Sequence, residues 1–215
     1  AAPRRGGNRS VAISFRTGLR SMREALLEIW RYRELLVMFV QRDLKVRYKN
    51  SVLGFGWSLL NPLVQVAVLT LVLLFLMPAE NRPANYHAYV FCAMVPWLFF
   101  STALMDSTNC LLIYYTLLRK TYFPREIIPL ASVAGNLIHF ALSTGVLLVY
   151  LAGISVFHWL REGTFNFPIL PTVVLLPLPM LGLAMLVTGL AMFLSIWTLY
   201  FEDMRYLVDS ALKIL

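Results

Sequence analysis

The sequence predicts an all-α, polytopic membrane helical bundle with an interfacial amphipathic helix at its N-terminus. Three observations predict it. Of 215 residues, 59% are hydrophobic and only 14% are charged, where soluble domains carry about 25% charged residues, and the mean hydropathy is +0.70. Four long apolar runs alternate with short polar loops. The cations gather ahead of the first run: residues 1–50 hold 12 of the 19 Lys and Arg but 4 of the 11 Asp and Glu, so the whole excess of +8 sits there. A basic segment beside an apolar core suits anionic headgroups, and no recognition motif accompanies it that would point to nucleic acid.

Residues 1–16 read as a disordered basic leader without the apolar core of a signal peptide. Over 17–50, Leu19, Met22, Leu26, Ile29, Trp30, Leu36, Phe39 and Val40 recur at helical spacing, with charges largely between them. That pattern predicts an amphipathic helix at the membrane interface. Its end is the densest charge cluster in the chain: Arg42, Asp43, Lys45, Arg47 and Lys49. The membrane domain is read as 51–215. Its first span, 52–77, contains Pro62 and should kink there. The second is expected over 88–117, the third over 127–157, and the fourth over 168–199, whose first half carries Pro168, Pro171, Pro177 and Pro179 and should be bent or broken. A fifth apolar stretch opens at Leu207 and the sequence stops eight residues later, so about four and a half spans are expected and the chain reads as a fragment. Cations in the short loops set the orientation. With the N-terminus in the cytosol, that side owns sixteen of them and the other side only Arg82 and Arg161.

Much chemistry is missing. No Gly is followed by Lys, so no P-loop is present, and no HExxH or GxSxG occurs. His87, His139 and His158 stand singly, so no metal site is expected. Cys92 and Cys110 read as small buried hydrophobes. Clustered carboxylates or a nucleophile–base pair, which an intramembrane enzyme would need, are absent, and the one acidic residue deep in the spans is Asp106.

Asp106 lies eleven residues from the cytosolic end of the second span and His139 twelve into the third, with Asn109 and Asn136 about one turn nearer the cytosol. The four predict a polar seam between these spans or facing a channel. A purely structural cluster locking the two helices is the other reading. In the fourth span Gly182 and Gly189 share a face and predict close helix packing. The loop LLRKTYFPREIIP sets Arg119, Lys120, Arg125 and Glu126 around Tyr122, Phe123 and Pro124. It reads either as a docking element with aromatic anchors and a polar rim or as an interfacial aromatic belt.

Four stretches, RDLKVRYKNSVLGFGWSLLNP, VPWLFFSTALMDSTN, LLRKTYFPREIIPLASV and YFEDMRYLVD, occur in the order found in permeases of polysaccharide-exporting type-2 ABC transporters. The chain resembles the branch that exports O-antigen and wall teichoic acid, over about residues 35–209. The resemblance implies a homodimer of six-span permeases in the bacterial inner membrane. It also implies two separate ABC ATPase subunits that hold ATP and Mg, this chain carrying no cofactor itself. It makes 118–127 a coupling helix seated on the ATPase. It puts the region of Arg42, Lys45, Arg47 and Lys49 near where the diphosphate headgroup of an undecaprenyl-linked glycan would come in, although these cations suit bulk anionic lipid equally. Trp57, Tyr89, Trp97, Phe99 and Phe100 become candidates for stacking on sugars in a channel. Rival readings are a wall teichoic acid or capsule exporter, a membrane enzyme processing polyprenyl-linked glycans, and a proton-coupled flippase using Asp106.

Overall fold

The structure, a computed structural model, describes residues 27, 29–49, 56–76, 78, 86–120, 123–162 and 176–214. Every regular element among them is a helix: α1 (Arg33–Tyr48), α2 (Gly56–Leu76), α3 (Tyr86–Ile113), α4 (Tyr115–Lys120), α5 (Ile127–Glu162), α6 (Pro177–Tyr200) and α7 (Met204–Ile214). Three helical runs are long and apolar enough to cross a membrane, Tyr86–Ile113, Ile127–Phe157 and Pro177–Tyr200, and α2 adds the shorter apolar run Leu60–Leu76. The bundle is that of a membrane protein. The leader 1–16 and the start of the expected interfacial helix lie outside the described residues, as do Pro168 and Pro171.

The central element is α3, which packs against α2, α5, α6 and α7. Its inward stripe, Val90, Phe91, Val95, Phe99, Ala103 and Leu104, meets Phe140 and Leu147 of α5 and Val187 and Ala191 of α6. Phe99 and Phe140 stack with ring centroids 4.6 Å apart. Hydroxyls on these apolar helices find partners within their own helix, as a water-poor surrounding demands: Thr102 donates to the Leu98 carbonyl (2.6 Å), Thr108 to Leu104 (2.7 Å), Thr144 to Phe140 (2.8 Å) and Thr198 to Leu194 (2.8 Å).

The second expected span ends four residues early, because α3 stops at Ile113 and α4 starts after Tyr114. At this joint the helical ladder slips: the Tyr114 carbonyl accepts from both Leu117 N–H and Leu118 N–H at 3.0 Å. The reason is local. The Tyr114 side chain is buried against Phe39 of α1, ring centroids 5.3 Å apart and edge to face.

A second core forms there. Phe39 and Val40 of α1 pack with Cys110, Leu111 and Tyr114 and with Ile127, Ile128 and Ala131 of α5. Between Phe39 and Arg47 the contacts of α1 move from Tyr114 to Asp106 along α3. Helix α1 therefore runs alongside the ends of α3 and α5 instead of crossing them. Arg42, Lys45, Arg47, Arg119, Lys120 and Arg125 mark this as the basic end of the bundle.

In α6 the described prolines, Pro177 and Pro179, occupy the first turn, where a missing N–H costs nothing, so the helix from Pro177 on is unbroken. The fifth apolar stretch forms α7, which is amphipathic and folds back along α3. Two further expectations are corrected. Cys92 is exposed, because it lies on the side of α3 away from the stripe, whereas Cys110 is buried. Gly182 and Gly189 are exposed, and a Cβ at either would meet nothing within 4 Å in this chain. The face of α6 that packs is Val187, Ala191, Ser195 and Thr198. Gly189→Ala should accordingly raise the melting temperature slightly or leave it unchanged, since Gly costs a helix about 1 kcal/mol against Ala. Ala191→Leu, filling a site with 0% exposure, should lower it, since overpacking costs about 1–3 kcal/mol of stability. Thermal unfolding of the detergent-purified protein compares the two.

Candidate functional site

Among the described residues, the longest-range polar cluster is built where α1 meets α3 and α5. The guanidinium of Arg47 forms a salt bridge with the Asp106 carboxylate on α3. It also donates to the Asn136 Oδ1 on α5 at 3.3 Å. Asn136 in turn donates through Nδ2 to Asp106 at 2.9 Å and to the Ser132 carbonyl at 3.0 Å. One arginine thus joins three helices. Seven residues separate Asp106 from the end of α3, or about 10 Å. With ~30 Å of hydrocarbon centred on a helix of about 42 Å, the pair lies a few ångströms inside the apolar layer. A lone charge is costly there, and mutual pairing with an amide bridge offsets that cost.

Asp106 and Asn136 of the expected seam do come together, and His139 borders the same space. Asn136, one turn before His139, meets Asp106 from α5, and His139 lines the second cavity together with Asp106. Asn109 donates to its own helix, to the Met105 carbonyl at 3.0 Å. Sequence reasoning did not connect Arg47 to this seam. It was grouped with Arg42, Lys45 and Lys49, yet Lys45 and Lys49 point outward and are exposed, while Arg42 and Arg47 border a cavity. The available signal was position: Arg47 lies one turn after Asp43, so both face the bundle.

Asp43 makes the second tie between α1 and the central helix. Tyr114 donates its hydroxyl to the Asp43 carboxylate, and Arg42 lies over the Tyr114 ring at 4.7 Å. Burial first, and the hydrogen bond to Asp43 second, push the Tyr114 phenol well above its ordinary value, so it stays a neutral donor.

Three cavities meet at this cluster. The first, about 320 Å³, runs from Arg47 and His139 to Trp57, Asn61 and Phe99. The second, about 550 Å³, holds Arg42, Arg47, Asp106, His139 and Arg205. The third, also about 550 Å³, holds Arg47, Asp106, Trp97, Asp209 and Lys213. Of the aromatic candidates, Trp57 and Phe99 border the first and Trp97 the third. One face of Phe99 is already taken by Phe140, Trp97 stacks with Phe100 at 5.9 Å, and Tyr89 is exposed in the first turn of α3. Helix α7 adds a second acid beside this cluster: Asp209 lines the cavity that Asp106 borders, paired with Lys213 at 2.6 Å.

The loop at the basic end also differs in detail. Helix α4, Tyr115–Lys120, overlaps the start of the expected coupling helix 118–127, and 123–126 form bends and turns leading into α5. Phe123 is half-buried, its ring 5.9 Å from Phe39, so it is an inward anchor and not an exposed one. Tyr122 lies outside the described residues. The outward surface consists of Arg119, Lys120, Arg125 and Glu126, with Pro124 half-buried, and Tyr115 adds a ring 5.7 Å from Arg119. No group of three or more His, Cys, Asp or Glu able to hold a metal occurs among the described residues.

The family described as ABC-2 type transporter matches residues 34–212. An O-antigen export system permease protein of Myxococcus xanthus is 32% identical over 187 residues, 87% of this chain and 67% of that protein. Two proteins of the same description from Klebsiella pneumoniae are 29% and 27% identical, each over 85% of this chain and 66% of its own length. The chain spans about two thirds of the length of these relatives.

The Tyr114 tie has a pH signature. Its raised folded value means that the stability it contributes is present below about pH 10 and is lost as pH rises beyond that. Tyr114→Phe should cost about 1–2 kcal/mol at neutral pH and flatten the alkaline loss of stability, read from melting temperature against pH.

Proposed function

The chain belongs to the ABC-2 type transporter family, and on that premise we propose that it is the permease subunit of an ATP-driven exporter that moves a lipid-linked polysaccharide of O-antigen type out of the cytosol across the bacterial inner membrane. The relatives named as O-antigen export permeases support the cargo class. The structural observation that carries the reading is Arg47 at the junction of three cavities that mix charged and amide groups with apolar walls. A purely structural ion pair needs no such space around it. Cations at membrane depth, next to rings and amides, suit a cargo whose head is a diphosphate and whose body is a sugar chain.

In this reading the N-terminus and the basic end face the cytosol, following the distribution of Lys and Arg. Arg42 and Arg47 receive the undecaprenyl diphosphate headgroup, with Lys45 and Lys49 drawing it in from the surface. Trp57, Phe99 and Trp97 offer apolar surface to the sugars, and Asn61, Asn136 and His139 offer hydrogen bonds. The working assembly is two copies of this chain with two ABC ATPase subunits, which bind ATP and Mg and supply the energy of the cycle. Arg119, Lys120, Arg125 and Glu126 form the polar surface on which each ATPase seats. Phe123 ties that surface to α1, so that movement of the loop reaches Arg47.

Two outcomes test this division of labour. Arg119→Glu with Arg125→Glu should abolish copurification of the ATPase while leaving the permease's melting temperature unchanged. Phe123→Ala should lower that temperature, through lost packing of about 3 kcal/mol or less, and weaken the dependence of hydrolysis on lipid-linked glycan. Retained binding of the ATPase by the double charge reversal would remove the loop from the proposal.

A further inference from the structure

Arg47 borders all three cavities, Asp106 borders the second and third, and Asn136 and His139 border the first and second. The ion pair between α1 and α3 therefore stands where the cavities meet. Its two side chains are 41% and 40% exposed, so the pair faces open space instead of being sealed in the core. The neighbouring arginines are differently placed. Arg42 rests on the Tyr114 ring and Arg205 on the Tyr206 ring at 4.6 Å, and neither forms an ion pair among the described residues. The carboxylate nearest Arg42, Asp43, is engaged by Tyr114.

We infer that Asp106 is an internal competitor for the anionic headgroup: it holds Arg47 across the junction until a lipid-linked diphosphate displaces it, and so selects which headgroups open the path. The inference rests on the exporter reading above and assigns selectivity to one residue within it. A carboxylate offers Arg47 one charge and two oxygens. A diphosphate diester offers two charges and can engage Arg42 and Arg205 in the same cavity, whereas a monophosphate diester carries only one charge and gains little over Asp106. Displacement does not orphan the carboxylate, because Asn136 continues to donate to it.

The test uses the full permease–ATPase complex in proteoliposomes. ATP hydrolysis is measured against undecaprenyl diphosphate carrying a short glycan, and against its monophosphate-linked counterpart. The wild type should respond to the first and hardly to the second. Asp106→Asn should lower the half-maximal diphosphate concentration by about 5-fold or more and make the monophosphate lipid effective. Asn136→Ala, which leaves every charge in place but removes the donor that steadies the released carboxylate, should raise the half-maximal diphosphate concentration. The swap Arg47→Asp with Asp106→Arg should restore melting temperature but not the lipid response, because the cation then sits on α3. Unshifted responses in Asp106→Asn, or a swap that regains the wild-type response, overturn the competitor role and leave the exporter standing. A wild-type complex indifferent to both lipids overturns both.

Discussion

The architecture depends on one constraint, that a charge carried into an apolar layer must bring its own counter-charge. Arg47 and Asp106 meet that constraint across 59 positions of sequence, and Asn136 closes the triangle from α5. Because the guanidinium can reach both only if α1 lies along the ends of α3 and α5, the pair fixes the helix direction. The core of Phe39, Val40, Leu111 and Ile128 then fills the space that this direction leaves. Removing one partner would leave the other without its counter-charge at the junction of the cavities.

The long elements were legible in the sequence, for a physical reason. A run such as 127–157 has no charged residue, and in lipid the backbone can satisfy itself only as a helix, so length and apolarity alone nearly specify the outcome. Ends were less legible. The break at Tyr114 follows from a ring wedged against Phe39, a residue 75 positions away, and no local pattern announces it. Arg47 was hidden for a different reason: amid Arg42, Lys45 and Lys49 its charge looked like one of a set, and only the helix's rotation distinguishes inward from outward members. The glycines of α6 misled because small residues signal close approach without naming the neighbour.

The two cores divide the labour of the bundle. The one shared by α2, α3, α5 and α6 is made of aliphatic and aromatic side chains, with hydroxyls folded back onto their own carbonyls. It carries no ionisable group in its buried set. The one at the basic end mixes Phe39 and Ile127 with Tyr114 and Cys110, and is framed by Asp43, Arg42 and Arg47. Rigidity belongs to the first core. The chemistry available for recognising a charged cargo belongs to the margin of the second.

Helix α5 is 36 residues long, or about 54 Å, well beyond the ~30 Å of hydrocarbon it crosses. Its first turn is tied to the loop at the basic end through the Pro124, Arg125 and Glu126 carbonyls, which accept from Ile127, Ile128 and Leu130. A rigid rod held at its foot is a lever. A tilt of about 5° there carries the far end sideways by about 5 Å, roughly the width of a sugar ring. A displacement at the base too small to disturb the Phe39 contacts is therefore magnified at the opposite surface of the membrane.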